Sequence, residues 1–387
     1  MGRARGEGGL SWHAGKGVWV GRYRGRDVSS KSKAEAAAKL EALRAGDLPR
    51  PRQTVGDVLD WWTSEHLEQR VSTGAITRRT AASYVGQAAH LQGLRGVRLS
   101  ALDATVVDRH LALLAETFSP RTVQYTRAVL RIAMRAAAAK RLVPMSVADA
   151  VSLSESVQVV PSEVPVLTPM MAEQVLDLLK GDRLRPLYIT MLGLGLRFGE
   201  AGALSWADVD LDSGTARIRH SLGRVHGQWI HGDTKQHADV TLALPAVVVS
   251  ALREQRRIQA EERLAAGPLW TAAVAQLERP RRRGRTVTDR IELDDLVFTT
   301  PGGGPIHNST IAARTRQLCL DAGIPPMTTH EFCRHGAATL LRQAGASLDE
   351  IRELLRHRQI VTTQRYAHVA PELRRATADR MDGLLGG

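Results

Sequence analysis

Residues 354–369, LLRHRQIVTTQRYAHV, place Tyr366 nine residues after His357, and the rest of the sequence is best understood around this tyrosine. A phenol has a pKa of about 10 and is a weak nucleophile at neutral pH. A reactive tyrosine therefore needs cationic donors that stabilise charge on the group it attacks. Taken alone, the stretch fits equally well an amphipathic helix with Tyr366 half buried and His357 in a core. Donors elsewhere in the chain must decide between these interpretations.

Three cationic residues elsewhere are candidate donors. They are Arg197 in GLGLRFGEAGALSWADVD (193–210), Lys235 in DTKQHADVTLALP (233–245) and Arg334 in THEFCRHGAATLL (329–341). Arginine offers forked donors to phosphate oxygens, and a lysine or histidine can protonate a leaving oxygen. A tyrosine can carry the covalent intermediate. The set predicts phosphoryl transfer to Tyr366 with no metal ion or other cofactor.

Two motifs in this set resemble those of the tyrosine recombinase family, the phage-type integrases. The pattern G-L-R-x-x-E-x-x-x-L-x-W-x-D-x-D is filled by Gly195, Leu196, Arg197, Glu200, Leu204, Trp206, Asp208 and Asp210. The pattern L-x-H, then Y nine residues on and x-H-V, is filled by Leu355, His357, Tyr366, His368 and Val369. The resemblance covers residues 166–370 specifically, and 54–141 and 10–48 more weakly.

The resemblance implies a mechanism in which Tyr366 attacks a DNA phosphate, forms a 3′-phosphotyrosyl bond and releases a 5′-hydroxyl. It implies that Arg197, Arg334 and His357 hold the phosphate and that Lys235 is the acid on the leaving oxygen. Glu200 and Asp208 are expected to support these side chains. The family acts as a tetramer that exchanges one pair of strands and then the other.

Two positions depart from the family pattern. The second motif is usually H-x-x-R, but residues 330–334 read HEFCR, which is one residue longer. We interpret this as an insertion and favour His330 over Glu331 in the histidine position, because a buried carboxylate near a phosphate would be costly. Arg356 stands where the family commonly has glycine, and it could contact the phosphate or point to solvent.

The charge of the chain favours a polyanionic partner. Lys and Arg total 53 against 40 Asp and Glu, a net charge of +13 with a pI near 10.4. Such a surplus is typical of nucleic-acid-binding proteins. Residues 1–52 hold 12 basic and five acidic side chains. The alternative is a soluble protein that is merely basic.

Five arginines are candidate contacts to double-stranded DNA. Arg22 and Arg24 lie on predicted strands near the N-terminus, and Arg121, Arg127 and Arg131 lie on a helix predicted over 120–140. On that helix Arg127, Arg131 and Arg135 recur every four residues, which places them along one flank. This spacing suits phosphates along a duplex, although a solvated basic face has the same pattern.

Cysteine content and hydropathy predict a cytoplasmic protein, associated with the nucleoid through DNA. Cys319 and Cys333 are too few for a disulfide scaffold and match no metal-ligand spacing, so free thiols are expected. No apolar run approaches eighteen residues, and the N-terminus lacks the apolar segment of a signal peptide. No membrane partner is expected.

The fold class predicted is multidomain, mainly α with small antiparallel sheets. Residues 1–50 are predicted as a three-stranded arm-site DNA-binding module with one helix, and 53–142 as a helical core-site DNA-binding domain. Residues 143–165, with three prolines after Leu142, are predicted as a linker. Residues 166–387 are predicted as a mixed α/β catalytic domain with a C-terminal tail.

The function predicted is a site-specific DNA recombinase that integrates or excises a mobile element. Its expected partners are core and arm attachment sites, further copies of itself in a tetramer on DNA, and a DNA-bending or directionality factor. One alternative is a type IB topoisomerase-like enzyme, against which the basic N-terminal module argues. A second is a DNA-binding protein of recombinase descent whose lengthened second motif no longer supports cleavage.

Overall fold

The structure is a computed structural model of the 387-residue chain. It describes residues 9–23, 26–45, 53–145, 147, 149, 151, 166–234, 239–280, 286–356, 361–364 and 366. The chain divides into two compact units. One contains Met1–Pro161 with Arg282–Arg285, and the other contains Ser162–Arg281 with Thr286–Gly387.

The first unit begins with a three-stranded antiparallel sheet and one helix. Strands β1 (Leu10–His13), β2 (Val18–Tyr23) and β3 (Arg26–Ser30) lie in that order, and helix α1 (Lys33–Ala45) follows. Ala36, Leu40 and Leu43 of α1 are buried. Gly21 of β2 lies so close to Leu40 that a Cβ atom there would be 3.1 Å from the leucine. The absence of a side chain at Gly21 therefore allows α1 to pack directly on the sheet.

The helical part of the first unit agrees with the periodicity of its sequence. Its helices are α2 (Val55–Trp61), α3 (Leu67–Ser72), α4 (Arg78–Ala88), α5 (Ala104–Ala115) and α6 (Pro120–Ala139), and a π-helical turn, Trp62–His66, joins α2 to α3. Thr54 accepts from the Asp57 amide and the Asp57 carboxylate accepts from the Thr54 amide, which caps α2. Trp62 lies fully buried at the centre of the core.

The helical core extends beyond residue 142, where the linker was predicted to begin. Val143, Val147 and Val151 are buried in the same core cluster as Trp62. The first part of that segment therefore packs with the helices because its apolar residues recur every four positions. Residues 152–165 lie outside the described residues.

The second unit is a helical layer with two small sheets. Its helices are α7 (Pro169–Leu178), α8 (Arg185–Gly193), α9 (Phe198–Gly202), α10 (Ala246–Ala266), α11 (Asn308–Asp321), α12 (Gly336–Gln343), α13 (Leu348–Leu355) and α14 (Val361–Gln364). A second π-helical turn, His330–His335, leads directly into α12. The apolar helix α8 is buried almost throughout and forms the centre of the core.

The strands between residues 209 and 243 belong to two different sheets. Strands β4 (Val209–Asp210), β5 (Thr215–Ile218) and β8 (Val240–Ala243) form the order β4-β5-β8. The hairpin of β6 (His220–Val225) and β7 (Gln228–Asp233) joins a second sheet of order β10-β9-β7-β6. Alternation along each strand indicates a sheet but does not identify which strands pair.

The strands that complete this second sheet lie after α10 in the sequence. They are β9 (Ala273–Pro280) and β10 (Thr286–Leu293), and β9 pairs with β7 in parallel, with Ile230 opposite Gln276. Ala275 and Leu293 are buried with Leu222 of β6. The hairpin of β9 and β10 therefore extends the sheet to which β7 belongs. Residues 281–285, which include four arginines, lie outside the described residues.

Both cysteines are buried free thiols, as predicted. Within the described parts of the chain, no helix has the length and apolar character needed to span a membrane.

Candidate active site

Arg197 stands at the N-terminal end of α9, directly after a sharp turn at Gly195. The φ angle of Gly195 is 55°, and a Cβ atom there would come within 2.6 Å of Leu355 Cδ2. Only glycine fits both the left-handed conformation and the close approach of Leu355. The Gly-Leu-Arg sequence therefore brings the end of α8 against the end of α13, with Arg197 at the junction.

Glu200 is the buried carboxylate around which three arginines assemble. Its Oε1 accepts from Arg197 Nη1 at 2.6 Å, and its Oε2 accepts from Arg356 Nη2 at 2.7 Å. Arg334 Nη1 lies 3.9 Å from the same Oε2. One carboxylate thus lies among three guanidinium groups, so these four side chains together carry an excess of positive charge.

The ionisation of this cluster follows from burial and mutual charge. Burial alone would raise the pKa of Glu200, but Arg356, Arg197 and Arg334 together hold that pKa below its ordinary value. Burial, followed by the nearby charge of Arg197, lowers the pKa of Arg334 to about 9. At neutral pH Glu200 is therefore ionised and Arg334 remains protonated.

Arg334 is fixed in place by backbone carbonyls. Its Nη1 donates to Gly195 O at 2.7 Å, its Nη2 donates to Leu355 O, and its side chain is almost fully buried. A guanidinium has five N–H donors, so these two bonds leave others available. Arg334 thereby connects the turn before α9 to the end of α13.

The lengthened second motif forms the π-helical turn that carries Arg334. In such a turn backbone bonds run between residues five apart, and here the Gly336 amide donates to Glu331 O. The wider turn accommodates one additional residue without breaking the helix that continues as α12. The insertion inferred from the sequence therefore has a local structural counterpart.

His330 and Glu331 have different surroundings within this turn. The Glu331 carboxylate accepts from the Thr328 amide at 2.7 Å, and Thr328 Oγ1 accepts from the Glu331 amide, so Glu331 caps the start of the turn. The His330 ring lies edge-to-face against His335, with centroids 4.8 Å apart. Desolvation, followed by the charges of Arg334 and Arg197, lowers the pKa of His330 below its ordinary value.

Tyr366 is fully buried beside the same turn. Its ring packs with Ala338, Ile351 and Leu355. Its hydroxyl makes a hydrogen bond with Nδ1 of His335, the residue that follows Arg334. Tyr366 is therefore a packed tyrosine that is fully buried, whereas the sequence suggested half burial, and its role as the nucleophile stays a prediction.

Arg356 is directed inwards, so of the two alternatives left open by the sequence the solvent-facing one is excluded. It ends α13 with φ 54° and ψ 44°, a left-handed conformation that explains why glycine suits this position. Besides its bond to Glu200, its Nη1 donates to Leu354 O at 2.8 Å. Sequence reasoning noted the missing glycine, but residue type alone does not give the direction of the side chain.

The other predicted site residues either lie away from the arginine cluster around Glu200 or fall outside the residues that the structure describes. Asp208 pairs with Arg219 at 2.8 Å, a partner that no sequence motif indicated. Lys235, His357 and His368 lie outside the described residues, although β7 ends two residues before Lys235. Among the described residues no cluster of three histidine, cysteine or acidic side chains could hold a metal ion.

The predicted DNA-binding arginines lie on the first unit. Arg121 is exposed near the start of α6, and Arg127 and Arg131 are partly exposed further along it. Arg22 on β2 is exposed but pairs with Asp27 at 2.6 Å, so part of its charge is offset. Arg24 lies outside the described residues.

Comparison with known proteins identifies the family. The sequence profile of the phage integrase family matches residues 165–372. An integrase of Streptomyces ambofaciens is 30% identical, and the match covers 94% of this chain and 92% of that protein. The chain belongs to the phage integrase family. As a tyrosine recombinase it is an enzyme that cleaves and rejoins DNA.

Solved structures of this family have the same fold. A Tn1549 transposon integrase bound to transposon right end DNA is 19% identical with a TM-score of 0.62, over 85% of this chain and 99% of that one. A lambda integrase tetramer bound to a Holliday junction is 14% identical with a TM-score of 0.58, over 90% and 95% of the two chains. At these identities the likeness establishes the fold, which confirms the predicted fold class. Nothing in the comparisons favours the topoisomerase or non-cleaving alternatives.

Proposed function

We propose that this phage-type integrase cleaves DNA through a 3′-phosphotyrosyl bond to Tyr366 and rejoins it after strand exchange. The observation that carries the proposal is the cluster of Arg197, Arg334 and Arg356 around Glu200, beside the buried Tyr366. An excess of positive charge in a desolvated place is costly unless an anion binds there. A DNA phosphate supplies that anion.

Arg197 and Arg334 are proposed to hold the non-bridging oxygens of the scissile phosphate. The Arg197 side chain keeps 27% of its surface exposed, so it can reach a ligand without leaving Glu200. Arg334 is fixed by two carbonyls and offers its remaining donors without reorganising. Preorganised donors of this kind stabilise the charge that develops in the transition state.

His330 is proposed to fill the histidine position of the second motif. Its ring is exposed in the turn that carries Arg334, whereas the Glu331 carboxylate is occupied in capping. Because the pKa of His330 is lowered, it is neutral at pH 7 and can donate one N–H to a phosphate oxygen. His357 is proposed as a further phosphate ligand, by its place in the family motif.

Lys235 is proposed as the acid that protonates the leaving 5′-oxygen. Two observations support this role: the family resemblance, and the position of Lys235 two residues after the end of β7. Asp208 is proposed to support this region indirectly, because its ion pair holds Arg219, whose carbonyl accepts from the Thr234 amide at 3.3 Å. Arg219 thus connects Asp208 of the first motif to Thr234, the residue that precedes Lys235.

Recognition of DNA is proposed to involve all three predicted parts of the chain. Residues 1–50, including Arg22 and Arg24, would bind arm sites, and residues 53–142, through Arg121, Arg127 and Arg131, would bind the core site. The catalytic part, 166–387, would assemble as a tetramer on DNA, as the lambda integrase does on a Holliday junction. A DNA-bending or directionality factor would complete the complex.

A nicked duplex that carries the element's core site tests the cleavage proposal. The nick lets the short downstream strand diffuse away, so the unmodified protein should accumulate a covalent adduct that survives denaturing electrophoresis. Tyr366→Phe should abolish the adduct and keep DNA retention. Tyr188→Phe is the matched control, because Tyr188 is equally buried in the same unit but bonds only within the core around Thr315. Retention without any adduct from the unmodified protein would support the non-cleaving alternative instead.

A further inference from the structure

The side chain of His335 contacts the hydroxyl of Tyr366. Its Nδ1 is hydrogen bonded to the phenolic oxygen, and the two ring centroids are 5.8 Å apart. The hydroxyl can donate to Nδ1 only if that nitrogen carries no proton, which corresponds to the neutral imidazole protonated at Nε2. His335 is then in position to receive the phenolic proton.

The cleavage reaction needs such an acceptor. A phenol is protonated at neutral pH, and burial makes an isolated phenolate still less favourable. The carboxylate of Glu200 is ionised, but arginines hold it and its pKa lies below the ordinary value, so it is a poor proton acceptor. A neutral imidazole that already touches the hydroxyl is the better acceptor.

The inserted residue of the second motif explains why His335 and His330 lie together. In a π-helical turn, residues five apart follow one another along the same face. His330 and His335 are five apart and their rings are in contact. One face of the turn therefore presents a histidine to solvent and a histidine to Tyr366, with Arg334 next to the latter in sequence.

We propose that His335 is a catalytic residue, the general base that activates Tyr366. The proton passes from the Tyr366 hydroxyl to His335 Nδ1 while the phenolic oxygen forms its bond to phosphorus and the bond to the 5′-oxygen breaks. The leaving 5′-oxygen takes its proton from a separate acid. In rejoining, His335 returns the proton to the phenolic oxygen as the 5′-hydroxyl attacks. The inference rests on the proposed role of Tyr366 as nucleophile.

The test combines His335→Asn with a more acidic nucleophile. Asparagine can place its Oδ1 near the position of Nδ1 and accept the hydrogen bond, but it cannot take up the proton. His335→Asn should slow adduct formation about 100-fold, the lower part of the range for general base catalysis. Replacing Tyr366 by a fluorinated tyrosine, whose phenol ionises more readily, should restore most of that loss.

A substrate with a sulfur atom at the 5′-bridging position separates the base from the acid. A thiolate leaves without protonation, so this substrate should rescue Lys235→Ala and should not rescue His335→Asn. The fluorinated tyrosine should give the opposite pattern. If the hydrogen bond from His335 only positioned the tyrosine ring, neither the 5′-sulfur substrate nor the fluorinated tyrosine would restore cleavage by His335→Asn. That result would overturn the proposal. Normal cleavage by His335→Asn would overturn it as well.

The proposal can also be tested if His335→Asn does not fold, and its failure can be distinguished from failure of the cleavage function. If His335→Asn fails to fold, the test uses protein with the natural His335. The solvent deuterium isotope effect on cleavage of the 5′-sulfur substrate is measured with tyrosine and with fluorinated tyrosine at position 366. An isotope effect that disappears with fluorinated tyrosine supports the proposal, and any other result contradicts it. If the unmodified protein forms no adduct at all, the cleavage function itself is wrong. An active protein with an unaffected His335 variant contradicts only the assignment of the base.

Discussion

At the scale of single residues, Glu200 determines the charge balance of the site. Its carboxylate contacts Arg197 and Arg356 directly and lies 3.9 Å from Arg334. The arginines were recognisable from motifs, but their convergence on one carboxylate depends on the left-handed turn at Gly195 and on the direction of Arg356. Neither of these conformations can be derived from residue type alone.

Glu200→Gln should be strongly destabilising, because it removes the carboxylate that Arg197, Arg334 and Arg356 share. Breaking a buried ion pair costs about 3–5 kcal/mol, and equilibrium denaturation in urea measures the loss. Glu261→Gln is the control, since Glu261 pairs with Arg257 on the exposed face of α10 and should change stability by less than about 1 kcal/mol.

The same residue predicts a pH dependence. The folded pKa of Glu200 lies below its ordinary value, so its stabilising contribution is present above about pH 4.3, the unfolded pKa, and is lost as the pH falls through the folded pKa. Acid unfolding of Glu200→Gln should lack this component. Equal acid dependence of variant and unmodified protein would contradict the predicted ionisation.

Arg356 affects stability in two opposite ways: its left-handed backbone is strained, and its side chain bonds to Glu200. Two variants separate these effects. Arg356→Gly removes the strain of a left-handed arginine, about 1–2 kcal/mol, but loses the bond to Glu200. Arg356→Ala loses that bond and keeps the strain. The alanine variant should therefore be less stable than the glycine variant by about 1 kcal/mol, as measured by denaturation midpoints. Equal stabilities would contradict the φ angle of this residue.

At the scale of elements, the two π-helical turns and the β9–β10 hairpin are the features that periodicity did not predict. Helical periodicity correctly predicted α6 over residues 120–140, because its apolar face repeats regularly. A π-helical turn changes that repeat over only a few residues. Strand pairing between β7 and β9 joins segments distant in sequence, so no local pattern indicates it.

The turn His330–His335 predicts different outcomes for its first two residues. Glu331→Ala should lower the stability by about 1 kcal/mol through loss of the cap and leave adduct formation almost unchanged. His330→Ala should reduce the rate of adduct formation with little loss of stability, because His330 is exposed overall and its ring packs on one neighbour, His335. The reverse pattern would place Glu331 in the histidine position.

Helix α6 predicts a salt dependence of DNA binding. Replacing Arg127 and Arg131 together by glutamine should weaken binding at all sequences and reduce the slope of log K against log salt by about 2. Lys180→Gln, at an exposed lysine paired with Asp177, is the control and should leave the slope unchanged. An unaltered slope in the double variant would assign the two arginines to a solvated face.

At the scale of the whole molecule, the motifs of 193–210 and 354–369 predicted the family correctly, because both depend on spacing within a continuous segment. The three-stranded module with its helix was also predicted correctly from glycines and short apolar strands. The boundary after residue 142 was less accurate. Prolines and serines there suggested a linker, whereas Val143, Val147 and Val151 pack in the helical core.

Removal of residues 1–50 should separate cleavage from integration. The module buries Ala36, Leu40 and Leu43 of α1 within itself, so the remaining chain should keep its fold. Cleavage of an isolated core site should be spared, and recombination of a site pair that requires arm binding should fall. Both activities are measured on the same preparation, and an equal loss of both would contradict the arm-binding role.

The left-handed arginine at the end of α13 also has a consequence in the genetic code. Every arginine codon becomes a glycine codon by one nucleotide change in its first position, and both residues suit the backbone at position 356 for different reasons, glycine by its freedom and arginine by its bond to Glu200. A single nucleotide change can therefore add or remove this guanidinium, and both the arginine protein and the glycine protein are expected to fold. Position 356 is thus a site where the electrostatics of the recombinase can be adjusted by selection while its fold is retained.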